Sequence, residues 1–148
     1  MGKIVDISKW QGTIDFPRFA QECDLAIVRV QYGSSTEDIK HKEYEAGLKT
    51  YGVPFGSYAY ARFVSVNDAK VEAQDFLKRA DAMSKFYVVD VEELTCPADQ
   101  VVAATQAFID VLRQAGAGRK TRRGRTPAGQ ESDASHRADT RHPGGTGF

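Results

Sequence analysis

The apolar residues of this chain follow two alternating rhythms. Four short runs rich in β-branched and aromatic residues, IVDIS (4–8), LAIVRVQY (25–32), PFGSYAY (54–60) and FYVVDVEE (86–93), read as strands. Between them the apolar positions recur at helical spacing. The clearest case is 66–84, where Val66, Ala69, Ala73, Phe76, Leu77 and Ala80 share one face with charges opposite. A second helix is predicted from Pro97, a good first-turn residue, to the stop at Gly116. DIKHKEYEAGLKTYG (38–52) predicts a third helix ending at a glycine, and FPRFAQEC (16–23) a shorter first one. Strands and helices that alternate in this way imply an α/β fold with a parallel sheet, open or closed into a barrel.

The rhythm stops after Ala117. Residues 118–148 contain no aliphatic side chain larger than alanine, and such a composition buries too little surface to offset chain entropy, so disorder is expected there. Charge changes at the same point. The whole chain of 148 residues balances 20 Lys and Arg against 20 Asp and Glu, but 118–148 hold seven basic and three acidic residues, leaving 13 and 17 in residues 1–117. Two domains of text result: 1–117, the folded body, and 118–148, a basic tail that is disordered or read out of frame. A further strand and helix are expected after Gly116, and a frameshift or artificial junction near 117 accounts for their absence better than a native basic tail does. At 41% hydrophobic and 10% aromatic, the body has material for one core.

The N-terminus runs directly into strand-like sequence, without the apolar region of a signal peptide, and no apolar run is long enough to span a bilayer. A soluble chain without membrane insertion is expected. Cys23 and Cys96 fall at opposite ends of their strands and read as free thiols.

The chemistry concentrates in the fourth run. Side chains alternate along a strand, so Phe86, Val88, Asp90 and Glu92 share one face while Tyr87, Val89, Val91 and then Glu93 point the other way. In β/α proteins the active site lies at the carboxyl ends of the strands. Asp90 and Glu92 are at that end of the fourth run. Asp6 holds the same place in the first, with Ser8 on its face and Trp10 just beyond. Three clustered carboxylates repel, so at least one is expected to retain its proton near neutral pH, as a general acid must. Glycoside hydrolysis needs such a pair, one to protonate the leaving oxygen and one to act at the anomeric carbon. Trp10, Tyr32, Tyr58 and Tyr60 would supply flat walls suited to sugar rings.

Other readings of the same residues stay open. Asp90 and Glu92 can be solubilising charges at a strand end, with the aromatics in the core. A divalent cation needs several oxygens, and neither His41 nor an Asp-x-Asp pattern completes a set, so no metal site and no cofactor are expected. His41 reads as a solvated residue of a charged helix, and His136 and His142 lie in the tail. No Ser–His–Asp, Cys–His or phosphate-loop arrangement is present.

Four stretches, in order and spacing over residues 3–117, resemble the family 25 glycoside hydrolases, the lysozymes or muramidases common among bacteriophage endolysins. They are VDISKWQGTIDF, with the pattern D-x-S-x-x-Q-G, then AIVRVQYGSS, VPFGSYAYAR and VVDVEE. The resemblance implies a modified (β/α) barrel of the TIM type, of which about the first four βα units are present, and cleavage of the β-1,4 bond between N-acetylmuramic acid and N-acetylglucosamine with retention. By position it makes Glu92 the general acid/base. Asp90 becomes the carboxylate that assists the substrate's own 2-acetamido group, and Asp6 a third acid of the cleft. Tyr58 and Tyr60 fall in a stretch that lines the saccharide groove, with Trp10 beside it. Where the family commonly reads K-A-T-E-G-T-S, this chain reads R-V-Q-Y-G-S-S, Arg29 to Ser35, which puts Tyr32 in place of an acid. The later strands, one of which carries a fourth acid, have no counterpart, and four strands cannot close such a barrel, leaving the edge of the fourth unpaired.

The leading expectation is therefore a lysozyme acting as a monomer on peptidoglycan glycan strands. Without a signal it would accumulate in the producing cell's cytoplasm and reach the wall after release, as the phage resemblance implies. A noncatalytic peptidoglycan-binding remnant is the competing class. A third reading, nucleic-acid binding by the basic RKTRRGR segment, lacks any aromatic or folded framework, so no nucleic-acid partner is expected.

Overall fold

A computed structural model describes residues 2–117 and 121–123. Its strands are β1 (Lys3–Ile7), β2 (Cys23–Tyr32), β3 (Thr36–Glu37), β4 (Phe55–Tyr60), β5 (Tyr87–Asp90) and β6 (Thr121–Arg123). The helices are α1 (Phe16–Glu22), α2 (His41–Thr50), α3 (Val66–Arg79) and α4 (Val101–Leu112). The sheet runs β1-β2-β4-β5-β6 with every neighbour parallel, and the two-residue β3 pairs antiparallel with the end of β2.

Local sequence explains the helix starts. Asp15 accepts from the Arg18 N–H ahead of Pro17 in α1, and Ser65 accepts from the Asp68 N–H at the head of α3, so each cap satisfies a donor that the first turn leaves without a partner. The helices cover one face of the sheet. Ile7, Ala26, Val28 and Phe55 pack with Tyr44 and Leu48 of α2, and Phe16 and Phe19 of α1 lean on the same cluster. Ala59, Tyr87 and Val89 pack with Phe76 of α3 and Phe108 of α4, whose rings lie 6.1 Å apart. By alternation, the opposite face of the same strands presents Asp6, Arg29, Tyr58, Val88 and Asp90.

Three expectations change. The fourth predicted strand ends at Asp90 and does not reach 93. The expected disorder of 118–148 fails at Thr121–Arg123, which pair with β5 from Tyr87 to Val89; the remainder of that segment lies outside the described residues. The edge of β5 expected to be open is thereby occupied by a fifth parallel strand. Gly116, at φ 85°, breaks the helical run after α4 in a conformation that favours glycine. Thr-Arg-Arg has no apolar alternation, so nothing in its composition announces a strand. Third, His41 is 1% exposed, not solvated.

Candidate active site

The D-x-S-x-x-Q-G motif is a piece of local architecture that ends β1. Asp6 is exposed on the face away from the helices. Two residues on, Ser8 caps a single 3-10 turn (Lys9–Gln11): its Oγ accepts from the Trp10 N–H at 3.4 Å, while the Ser8 N–H donates to Gln11 Oε1 at 2.6 Å. Gly12, at φ 62°, closes the turn, and its carbonyl accepts from the Tyr44 hydroxyl at 2.5 Å. The outcome is Trp10 held out at the rim, 76% exposed, with the Lys9 ammonium 4.8 Å from its ring.

Tyr32 reaches the site through a β-bulge. Strict alternation would put it on the helix side with Val28 and Val30. The register instead shifts between Arg29 and Gln31, with Arg29 opposite Tyr58, Gln31 opposite Ala59 and Tyr32 opposite Tyr60. Gln31 is thus sent inward, where its amide donates to the Glu72 carbonyl of α3 at 3.0 Å, and Tyr32 stacks on Tyr60 with centroids 4.7 Å apart. Each of these two rings therefore gives one face to the other, which halves the flat surface that they offer to a sugar.

Tyr58 sits at the centre of the face. Its phenol is held well above its ordinary pKa, first by burial and then by the nearby Asp6, against which Arg29 acts; Asp90 and Asp38 raise it further. Asp6 and Asp90, from strands that are not neighbours, thus share one face of the sheet with Tyr58 and both add to that rise. Beneath them lies a buried ion pair. Arg29 Nε meets Asp38 Oδ2 at 3.0 Å with both side chains almost fully enclosed. Asp38 also accepts from the Lys9 N–H at 3.0 Å and the Lys40 N–H at 2.9 Å. One carboxylate so ties the turns after β1 and β2 together.

Glu92 lies just past β5, exposed; the Tyr60 phenol is raised first by burial, then by its bond to Glu93 and that residue's charge, with a smaller addition from Glu92. Glu93 corrects the alternation argument. Because the strand ends at Asp90, Glu93 is not sent to the far face: Oε2 accepts from the Tyr60 hydroxyl at 2.7 Å and from the Tyr32 hydroxyl at 3.5 Å, and Oε1 pairs with Arg62 Nη1 at 2.9 Å. Arg62 Nη1 also donates to the Tyr32 hydroxyl at 2.8 Å. Sequence reasoning missed Arg62, Glu93, Arg29 and Asp38. The YAR run that follows β4 was the available signal for Arg62.

A buried acid and a buried histidine lie behind the site. Glu72 of α3 is 1% exposed; burial pushes its carboxyl up to about 7, while the Arg62 backbone N–H, which donates to it at 3.2 Å, opposes that rise. It lines a pocket of about 480 Å³ with Tyr32, Ser34, Thr36, Arg62 and Asp68. His41 bridges Glu37 at 2.6 Å and Glu45 at 2.9 Å. Burial lowers its pKa, but the two carboxylates outweigh burial and hold it raised. Cys23 and Cys96 are buried and free. Among the described residues no helix is long and apolar enough to cross a membrane.

A parallel α/β sheet with acids and tyrosines gathered at the carboxyl ends of its strands is the class that this geometry defines. Residues 5–121 match the glycosyl hydrolases family 25, and the chain belongs to that family. An autolytic lysozyme of Clostridium acetobutylicum is 28% identical over 118 residues, covering 77% of this chain and 36% of that protein. The catalytic domain of an endolysin from a bacteriophage of Listeria monocytogenes superposes with a TM-score of 0.74 at 30% identity, over 84% of this chain and 62% of that one. The modular autolysin LytC of Streptococcus pneumoniae, solved with a synthetic peptidoglycan ligand, gives a TM-score of 0.69 at 26% identity, over 81% of this chain and 31% of that one. The chain spans about a third of the curated relative and less than two thirds of the endolysin domain.

Proposed function

We propose that this chain carries lysozyme chemistry: hydrolysis of the β-1,4 bond between N-acetylmuramic acid and N-acetylglucosamine, with retention, through the substrate's own acetamido group. Glu92 protonates the glycosidic oxygen from its exposed position after β5. Asp90 orients the acetamido group and stabilises the positive charge that develops on it. Asp6 sets the field around both. Trp10, Tyr32, Tyr58 and Tyr60 contact the sugar rings, Trp10 from the rim and Tyr58 from the floor. The observation that carries this reading is the register that puts Asp6, Tyr58 and Asp90 on the sheet face away from the helices, the two acids near the carboxyl ends of their strands and Glu92 two residues beyond Asp90. Membership of family 25 supports it.

The parallel strand order and the helices on one face support a further reading of the fold, that this sheet is part of a (β/α) barrel of modified TIM type. The partner is the peptidoglycan glycan strand, met by a monomer at the wall after release from the producing cell. The test is incubation of the chain with purified peptidoglycan, followed by reduction and analysis of the new reducing ends. Muramic acid at those ends supports the proposal. Saccharide binding with no new reducing ends would move the chain to the noncatalytic peptidoglycan-binding class.

A further inference from the structure

The turn after β5 is held more firmly than its exposure suggests. Thr95 Oγ1 donates to the Phe63 carbonyl at 2.7 Å, and the Ala61 N–H donates to the Asp90 carbonyl at 2.9 Å, so the segment that carries Glu92 and Glu93 is fastened at both ends to the segment after β4. Between these fastenings lies the Glu93–Arg62 pair, joined by the Tyr60 and Tyr32 hydroxyls. Glu93 is bonded to three side chains, whereas its neighbour Glu92 is exposed. A carboxylate held so tightly beside a freely placed one fixes the backbone from which the second projects.

We propose that Glu93 and Arg62 form a positioning pair for Glu92, holding the turn after β5 against the end of β4 and balancing the charge beside the acid. This rests on the assignment of Glu92 as the proton donor. Neither member is a catalytic residue. Their electrostatic effects have opposite signs. Without the Arg62 cation, the Glu93 carboxylate stands unbalanced next to Glu92 and makes proton loss there harder. Without the Glu93 anion, Arg62 stands unbalanced and makes proton loss easier. The other charged or titratable groups around the pair are Tyr60 on β4, Tyr32 and Arg29 on β2, and Asp68 and Glu72 on α3, the Glu72 carboxyl facing the Arg62 backbone. None of these is changed by the test.

The experiment is a titration of the full chain labelled with 13C at glutamate carboxyls, following Glu92 by NMR in the parent, Arg62→Gln, Glu93→Gln and Arg62→Lys. Both side chains are partly open to solvent, 42% and 40% exposed, so screening limits the effect to roughly half a pH unit. The Glu92 midpoint is expected to rise in Arg62→Gln, to fall in Glu93→Gln, and to stay near the parent in Arg62→Lys, which keeps the charge. Midpoints that coincide in all four proteins, or that move in one direction only, overturn the proposal. Peptidoglycan hydrolysis measured on the same samples tests the lysozyme reading separately. If the parent titrates as expected and releases no reducing ends, the pair stands and the enzymatic reading fails. If the parent is active, the alkaline limb of its pH–rate profile is expected to move with the midpoint in each variant, a response that simple loosening of structure would not give.

Discussion

Replacing Asp38 with alanine tests whether the buried Arg29–Asp38 pair holds the mouth of the site together. The substitution removes three acceptor contacts at once: Arg29 Nε, the Lys9 N–H and the Lys40 N–H. The greater effect falls on what remains, because the Arg29 side chain is only 8% exposed and would be left as a buried cation without its counter-ion. Breaking one member of a buried pair costs about 3–5 kcal/mol. Each stranded backbone donor adds about 1 kcal/mol unless water reaches it, and Lys9 and Lys40 are both half-buried, so water offsets part of that. The expected loss for Asp38→Ala is therefore about 4 kcal/mol. Asp38→Asn keeps an acceptor oxygen and the shape but drops the charge, and about half that loss is expected. If the unpaired cation is the cause, Arg29→Met placed on top of Asp38→Ala should recover part of the stability, although the residues are in contact and their effects are not additive. The assay is urea unfolding followed by circular dichroism, read from the midpoint at unchanged slope. A loss below about 1 kcal/mol for Asp38→Ala, or a double variant less stable than Asp38→Ala alone, would refute the reasoning.

Glu72 should make the protein less stable as pH rises: its folded-state pKa of about 7 lies above the ordinary 4.5, so the native state holds the proton more tightly and its contribution, up to about 3 kcal/mol, is lost between those two values. Glu72→Gln should flatten that part of the stability–pH curve and raise stability at pH 8; an unchanged curve would contradict it. His41 has the same sign for a different reason. Its raised pKa stabilises the fold below the unfolded value of 6.5 and is lost as pH climbs through the higher folded one, so His41→Gln should cost stability at pH 6 and much less at pH 9 when melting temperatures are compared. Trp10→Ala, at a ring that is 76% exposed, should leave the melting temperature within about 2 °C of the parent while weakening the binding of chitooligosaccharides several-fold in calorimetry; unaltered binding would remove Trp10 from the site.

What the sequence revealed followed the reach of each physical rule. Hydrophobic periodicity located four of the parallel strands and all four helices to within a few residues, because burial on one face of the sheet demands an apolar side chain at every other position. The placement of Asp6 and Asp90 on one face near the carboxyl ends of their strands was also visible, since a parallel sheet brings those ends to one edge. The bulge at Val30 was not visible. It costs one unpaired residue and leaves no compositional mark, yet it decides that Tyr32 meets Tyr60 while Gln31 turns inward. Glu93 was misplaced by extending alternation three residues beyond the end of β5. Asp38 and Arg29, nine positions apart with only Glu37 charged between them, pair because β3 folds back on β2. His41 failed for the same reason: a charged helix segment reads as solvated until its two flanking carboxylates are seen to enclose it.

Turnover of purified peptidoglycan by the parent chain and by Glu92→Gln is the most direct test of the central claim. Removing a general acid costs about 100-fold to 10,000-fold in rate. Because Glu92 is exposed, its replacement should leave the unfolding free energy within about 0.5 kcal/mol of the parent. The account predicts a parent that releases muramic acid reducing ends and a folded Glu92→Gln variant that still binds glycan but releases at least 100-fold fewer. A Glu92→Gln protein that hydrolyses at the parent's rate would contradict it.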